Sequence, residues 1–194
     1  MKTYYNSKDP LSMAAKAAGY RSRAAYKLME LQKRHQLIQA GSRILDLGAA
    51  PGSWSQVALQ HAKPGGKIIA VDIKHIDQIP GVETLQADVL DANFEKLIRQ
   101  KVPQPFDLVL SDMAPNLTGI KATDQQQAAQ LVLRASEIAS KLLTPRGHFI
   151  FKVFQGDSFE ELLGQLKKTF SKIKARGLIA SRSKSKEIFC IARL

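Results

Sequence analysis

The chain has 194 residues, 44% of them hydrophobic, which is enough for one core and little more. Its 29 Lys and Arg against 17 Asp and Glu leave a formal charge of +12, an excess that points to a polyanionic partner, nucleic acid first. No run approaches the roughly 18 apolar residues of a membrane span, and MKTYYNSKDP lacks the apolar centre of a secretory leader, so a cytoplasmic protein is expected. Cys190 stands alone and can form no internal disulfide. His35, His61, His75 and His148 are scattered rather than grouped as ligands, and no metal is expected.

In chain order, residues 1–43 are basic and Ala-rich with no strand signal; SMAAKAAGYRSRAAYKLMELQKRHQLI reads as an appended helix or a flexible arm. From residue 44 onward, short β-rich apolar runs alternate with helical periods. The strand candidates are RILDL, KIIAVDI, VETLQAD, FDLVLSD, HFIFKVF and EIFCIAR, with a weaker one in KIKARGL. Helices are expected near 53–62, 91–101, 124–143 and 157–170. In the third, Ala128, Leu131, Val132, Ala135, Ile138, Ala139 and Leu142 recur at spacings of three and four, which makes one face apolar and core-facing. Such alternation predicts an α/β fold, a mostly parallel sheet with helices on both faces. Without repeats or a long linker, residues 1–194 read as one domain, with 1–43 a basic helical extension that contributes to nucleic-acid binding.

The stretch ILDLGAAPGSWSQVA passes from a strand through a turn into a helix, the usual ligand position in an open α/β sheet. Asp46 lies at the strand end, Gly48 and Gly52 let the backbone bend and come close to a ligand, and Pro51 presets the helix start. An ordinary tight turn would look the same locally. GAAPGS fits neither G-x-G-x-x-G nor G-x-x-x-x-G-K-[ST], which demotes pyrophosphate ligands. Asp72 ends the second strand, where a carboxylate can accept from ribose hydroxyls, and Asp88 ends the third. Three acidic strand ends suit a ligand with an adenosine and a cationic centre but no phosphate, a description that fits S-adenosylmethionine.

At this point the chain resembles the class I methyltransferases. D-L-G-A-A-P-G-S-W, followed by Asp72 and Asp88, more narrowly resembles the FtsJ/RrmJ family of RNA ribose 2′-O-methyltransferases. Where that family has PGG-W this chain has Ser53, a small change that leaves Gly52 and Trp54 matched. The resemblance implies a Rossmann-like seven-stranded sheet with the last strand antiparallel. It also implies donor contacts from Asp46, Gly48, Pro51, Gly52, Trp54, Asp72, Asp88 and Asp112, with S-adenosylhomocysteine as the product.

Methyl transfer to a ribose oxygen needs an aligned acceptor, a base and groups that hold the developing alkoxide. Asp112 ends LVLSD; Lys152 is out of place among the apolar residues of HFIFKVF; Glu187 begins EIFCIAR. In the class I arrangement the antiparallel strand brings Glu187 to the edge where Asp112 and Lys152 lie. With Lys27, on a helix that must fold over the cleft, these form the K-D-K-E tetrad the resemblance implies. By carry-over Lys152 is the proton acceptor or an orienting group, Asp112 orients it, and Lys27 and Glu187 position the nucleotide. Sibling chemistries fit less well: Asp112-Met113-Ala114-Pro115 is not the [DN]-P-P-[YFW] of amino-methylating enzymes, and Cys190 is far from where a cytosine C5 nucleophile would sit.

The positive charge falls into two clusters, Lys2, Lys8, Lys16, Arg21, Arg23, Lys27, Lys33 and Arg34, then Lys167, Lys168, Lys172, Lys174, Arg176, Arg182, Lys184 and Lys186. Flanking the carboxyl edge of the sheet, they would form a phosphate track to the tetrad; Tyr4, Tyr5, Tyr20 and Tyr26 could stack on bases or pack. The resemblance implies a monomer that acts on a uridine ribose of 23S ribosomal RNA in the large subunit. Transfer RNA or cap substrates, an RNA-binding assembly factor and a nicotinamide-linked oxidoreductase remain as alternatives, the last disfavoured by the missing G-x-G-x-x-G.

Overall fold

A computed structural model describes residues 9–116, 118–156, 159–178 and 187–194. Seven strands form one sheet in the order β3-β2-β1-β4-β5-β7-β6: β1 (Arg43–Leu47), β2 (Lys67–Asp72), β3 (Val82–Gln86), β4 (Phe106–Ser111), β5 (Leu143–Phe154), β6 (Lys172–Arg176) and β7 (Glu187–Arg193). Only β7 is reversed, pairing antiparallel with both β5 and β6. Strand order turns back between β1 and β4, which opens a crevice at their carboxyl ends.

The period-two alternation of the strands sends apolar side chains to both faces. On one face Ile44, Ile68, Leu108, Leu110, Ile150, Phe189 and Ile191 pack under α2 (Ala24–His35) and α3 (Ser53–Ala62). On the other, Leu45, Ile69, Val109, Phe149, Phe151 and Cys190 pack under α4 (Phe94–Lys101), α5 (Lys121–Leu142) and α6 (Phe159–Leu166). The short α1 (Pro10–Ala17) is capped by Asp9, whose carboxylate accepts from Leu11 N and the Ser12 hydroxyl.

Residues 9–43 are packed against the domain. Ala25, Leu28 and Leu31 of α2 are fully buried at helical spacing, and α2 leaves through a two-way clasp in which Gln32 donates to Ile38 O and accepts from Ile38 N, both at 2.8 Å.

Element starts depart from the sequence expectations where side chains compete with the backbone. Helix α4 begins at Phe94 rather than 91 because Asp91 Oδ1 accepts from Asn93 N at 2.7 Å, which holds a turn ahead of it. Helix α5 begins at Lys121 rather than 124; the Asp124 carboxylate reaches back to Thr118 N, Thr118 Oγ1 and Gly119 N and organises the approach. Strand β5 begins at Leu143, five residues before HFIFKVF, because a bulge lies between the Phe106↔Leu143 and Leu108↔His148 pairs.

Candidate active site

Four strands carry the site on the face beneath α2. Ile44, Ile68, Leu110 and Ile150 point into that core, and the same alternation continued along each strand puts Asp46, Asp72, Asp112 and Lys152 on that side at the carboxyl edge. Strand β7 enters from this edge, with Glu187 opposite Phe154 and Phe189 opposite Lys152.

Two buried ion pairs stand side by side there. The Lys152 ammonium donates to Asp112 O at 2.9 Å and has Asp112 Oδ1 at 2.8 Å, a charge contact outside hydrogen-bond angles. Lys27 donates to Glu187 Oε2 at 2.9 Å and sits 5.1 Å above the Phe189 ring. The lysine side chains are 8% and 7% exposed for Lys27 and Lys152, and each is paired with a carboxylate. Phe189 joins the pairs: it faces Lys152 across the ladder, lies under Lys27 and packs on Trp54 with centroids 5.5 Å apart.

The turn after β1 is shaped by its neighbours. Gly48, at φ +72°, leaves no room for a Cβ because Met113 of the loop after β4 fills that space. Gly52, at φ +108°, would place a Cβ 2.5 Å from Ile79 Cδ1 and 3.0 Å from an Arg21 guanidinium nitrogen. Both glycines therefore serve close approach of protein to protein at this turn. Pro51 lies before the helix, which begins at Ser53 with Gly52 as N-cap, and its carbonyl accepts from Arg21 at 2.8 Å. The structure puts the Trp54 side chain in the core beneath α2, its indole NH donating to Ala24 O at 2.8 Å.

Asp46 is the most constrained carboxyl of the group. It is 1% exposed; Oδ2 accepts from the Ser55 hydroxyl at 2.6 Å, and Oδ1 is buried without a hydrogen-bond partner among the described residues. Burial first, then the charges of Asp112 and Asp72, push it up to about 7 against the relief from Ser55. Asp72 accepts from Ala50 N at 2.9 Å and Lys74 N at 2.8 Å, tying the first turn to the second. Asp88 lies one strand further out, its Oδ1 accepting from Leu90 N at 2.9 Å.

Two residues that the sequence expectations passed over stand beside these acids. Ile73 and Leu90 are 63% and 59% exposed, large apolar side chains on the loops that follow β2 and β3. An apolar residue one position after Asp72, and another two positions after Asp88, was the available signal.

The expected phosphate track is only partly assembled at this edge. Arg21 and Arg23 are committed internally, the first to three main-chain carbonyls and the second to Asp9. Lys33 and Arg34 lie near the end of α2, toward the entry of β1, and Arg34 pairs with Glu30. Lys172 pairs with Arg193, level with His148, which places it at the edge opposite the tetrad; Lys167 and Lys168 precede it in the turn after α6. Ladder geometry explains the difference, since β6 rises toward the site only at Arg176. Lys2, Tyr4, Tyr5, Lys8, Arg182, Lys184 and Lys186 lie outside the described residues.

Among the described residues no cluster of His, Cys, Asp and Glu is disposed to hold a metal ion, and no helix is long and apolar enough to cross a membrane.

The chain is 45% identical over 178 residues to Ribosomal RNA large subunit methyltransferase E of Cellvibrio japonicus, covering 91% of this chain and 84% of that one. It is 41% identical over 186 residues to the protein of that name from Pseudomonas aeruginosa, covering 95% and 90%. A crystal structure described as a ribosomal RNA methyltransferase from Plasmodium falciparum superposes with a TM-score of 0.80 at 31% identity, over 90% of this chain and 97% of that one. Fibrillarin from Aeropyrum pernix, solved with S-adenosyl-L-methionine bound, shares the fold at a TM-score of 0.61 and 17% identity, over 89% and 75%. The sequence model of the FtsJ-like methyltransferases matches residues 20–194, and the chain belongs to that family.

Proposed function

We propose that this chain is a cytoplasmic, monomeric S-adenosylmethionine-dependent methyltransferase that methylates a ribose 2′-oxygen, on a uridine of 23S ribosomal RNA in the large subunit. The observation that carries the reading is the pairing of Lys152 with Asp112 and of Lys27 with Glu187 at one sheet edge, beside the buried Asp46. The relatives named for large-subunit ribosomal RNA support the substrate.

The residues present fit the donor. A buried carboxylate oxygen without a partner and two further acids suit a cationic nucleoside, and the exposed Ile73 and Leu90 suit the faces of a flat base. Asp72 and Asp88 each retain free lone pairs for hydroxyl or amino donors. When bound, the donor supplies a methyl group on a sulfonium that is already an activated leaving group.

The chain's own residues supply alignment and proton handling. Asp112 holds the Lys152 amine through two oxygens, so the nitrogen is fixed at the point where a ribose hydroxyl must arrive. As the ammonium Lys152 orients the ribose hydroxyl, and only as the free amine does it take the hydroxyl proton, while Lys27 and Glu187 hold the nucleotide in register and Lys27 offsets the developing negative charge. Lys16, exposed in the last turn of α1, adds a phosphate contact on the N-terminal segment.

The test is transfer of labelled methyl to large subunits and to naked ribosomal RNA by wild type and Lys152→Ala, with identification of the product nucleoside. Expected are a 2′-O-methylated uridine made by wild type and a loss on the order of 10²- to 10⁴-fold in the variant, with S-adenosylhomocysteine still bound by both. Methyl found on a base, or transfer undiminished by Lys152→Ala, would refute the assignment. Transfer only to transfer RNA or capped RNA would change the substrate and keep the chemistry.

A further inference from the structure

Arg21 occupies a position that the catalytic pairs do not explain. It lies in the short link between α1 and α2, six residues before Lys27, and it is one of the cations expected to meet RNA phosphate. Its guanidinium is instead spent on the protein: one terminal nitrogen donates to Pro51 O and Asp77 O, the other to Gln78 O, all at 2.8 Å. Pro51 belongs to the turn after β1, and Asp77 and Gln78 to the loop after β2. One planar fork thus clamps two loops from neighbouring strands, a geometry suited to arginine and not to lysine.

The link itself is fastened to α3. Arg21 N donates to Gln56 Oε1 and Gln56 Nε2 donates to Gly19 O, both at 3.0 Å. The Ser22 and Ser53 hydroxyls share a buried hydrogen bond at 2.7 Å, and Tyr20 donates to Gln60 at 2.8 Å. These bonds all end on α3. Among the described residues, Arg21 alone carries a hydrogen bond from this segment to the loop after β2.

Gly52 completes the argument, because its missing side chain leaves the space in which the Arg21 guanidinium and Ile79 meet the turn. We infer that Arg21 is a positioning residue: it couples the two loops that flank the donor site to the helix that carries Lys27, so that filling the donor site steadies the acceptor side. The inference rests on the donor reading of these loops. Ligand binding at one side then registers at the other through these hydrogen bonds.

The test is amide hydrogen exchange along the whole chain, with and without saturating S-adenosylhomocysteine, in wild type, Arg21→Ala and Arg21→Lys. In wild type the ligand should slow exchange in the turn after β1, in the loop after β2 and, on the order of tenfold, in α2. In Arg21→Ala the protection of α2 should vanish, with binding weaker on the order of tenfold. Arg21→Lys, which keeps the charge but cannot span three carbonyls, should fall between and carries the test if the alanine variant does not fold. A merely structural arginine would leave the ligand-induced protection of α2 unchanged while speeding exchange equally in both states. That outcome, or a wild type whose α2 ignores bound ligand, overturns the inference. A wild type that binds no S-adenosylhomocysteine overturns the donor reading itself, and the coupling with it.

Discussion

Asp46→Asn isolates the most unusual electrostatic feature of the molecule. The Asp46 carboxyl is pushed up to about 7 by burial and by Asp112 and Asp72, from an ordinary value of 3.8. A raised carboxyl means that the folded protein holds its proton over a range where the unfolded chain has lost it. Stability from this group is therefore complete below about pH 4 and is lost as pH rises through about 7. Each pH unit inside that window costs about 1.4 kcal/mol, so wild type should lose about 3 kcal/mol between about pH 5 and pH 8 through this residue. Asparagine removes the titration, keeps an acceptor for the Ser55 hydroxyl and puts an NH₂ in place of the unpartnered Oδ1. For a chain of this length, 3 kcal/mol corresponds to roughly 6–12 °C in melting temperature. Thermal melts of both proteins across this range, without ligand, should show curves that diverge with rising pH, the variant gaining relative to wild type. Parallel curves would refute the reasoning, since every other titrating group is common to the two proteins.

The remaining predictions concern the clamps around the site. Glu95 receives both arms of Arg134, at 2.9 and 3.1 Å, and Lys141 at 3.1 Å. Burial would raise it, but hydrogen bonds from Arg134 and Lys141 draw its carboxyl down to about 2. A lowered carboxyl stabilises above its ordinary value near 4.5 and loses that contribution as pH falls through about 2. Glu95→Gln should therefore cost about 1–2 kcal/mol at neutral pH and close to nothing near pH 2, measured by denaturant titration. Gly52→Ala must place a side chain at φ +108° against Ile79 and Arg21, at a cost of about 1–3 kcal/mol. Its binding of S-adenosylhomocysteine, followed calorimetrically, should fall further than its stability does if the proposed placement of the donor at this turn is right.

Strand and helix placement was legible in the sequence because both kinds of alternation are local. RILDL is bounded by the residues that bound β1, FDLVLSD overruns β4 only by Asp112, and the spacing of Ala135, Ile138, Ala139 and Leu142 located the face of α5 that packs on the sheet. What the sequence concealed was non-local. Trp54 matches a motif position beside the turn, yet its indole serves α2 from below. Arg21 and Lys33 look alike as surface cations in a basic helical stretch; only the folded chain separates one that is spent on carbonyls from one that is exposed. The charge clusters misled for the same reason. Nearness in sequence at the C-terminal end says nothing of height along a strand, and three of those lysines fall at or near the edge opposite the tetrad.

Lys152 shows why the site could not be built on one element alone. A lysine in the middle of an apolar strand is costly, and the strand tolerates it only because its side faces α2, where Asp112 reaches it from the adjacent strand. Its neighbours on β5, Phe151 and Val153, point to the other face and join the core under α5 and α6. The reversed β7 then matters in a way that a parallel strand would not. Run the other way, its first residue would lie at the far edge; reversed, Glu187 begins beside Phe154 and meets Lys27 from above. The antiparallel strand, the helix before β1 and the alternation of β5 thus each supply one constraint, and the two ion pairs adjoin only where all three hold.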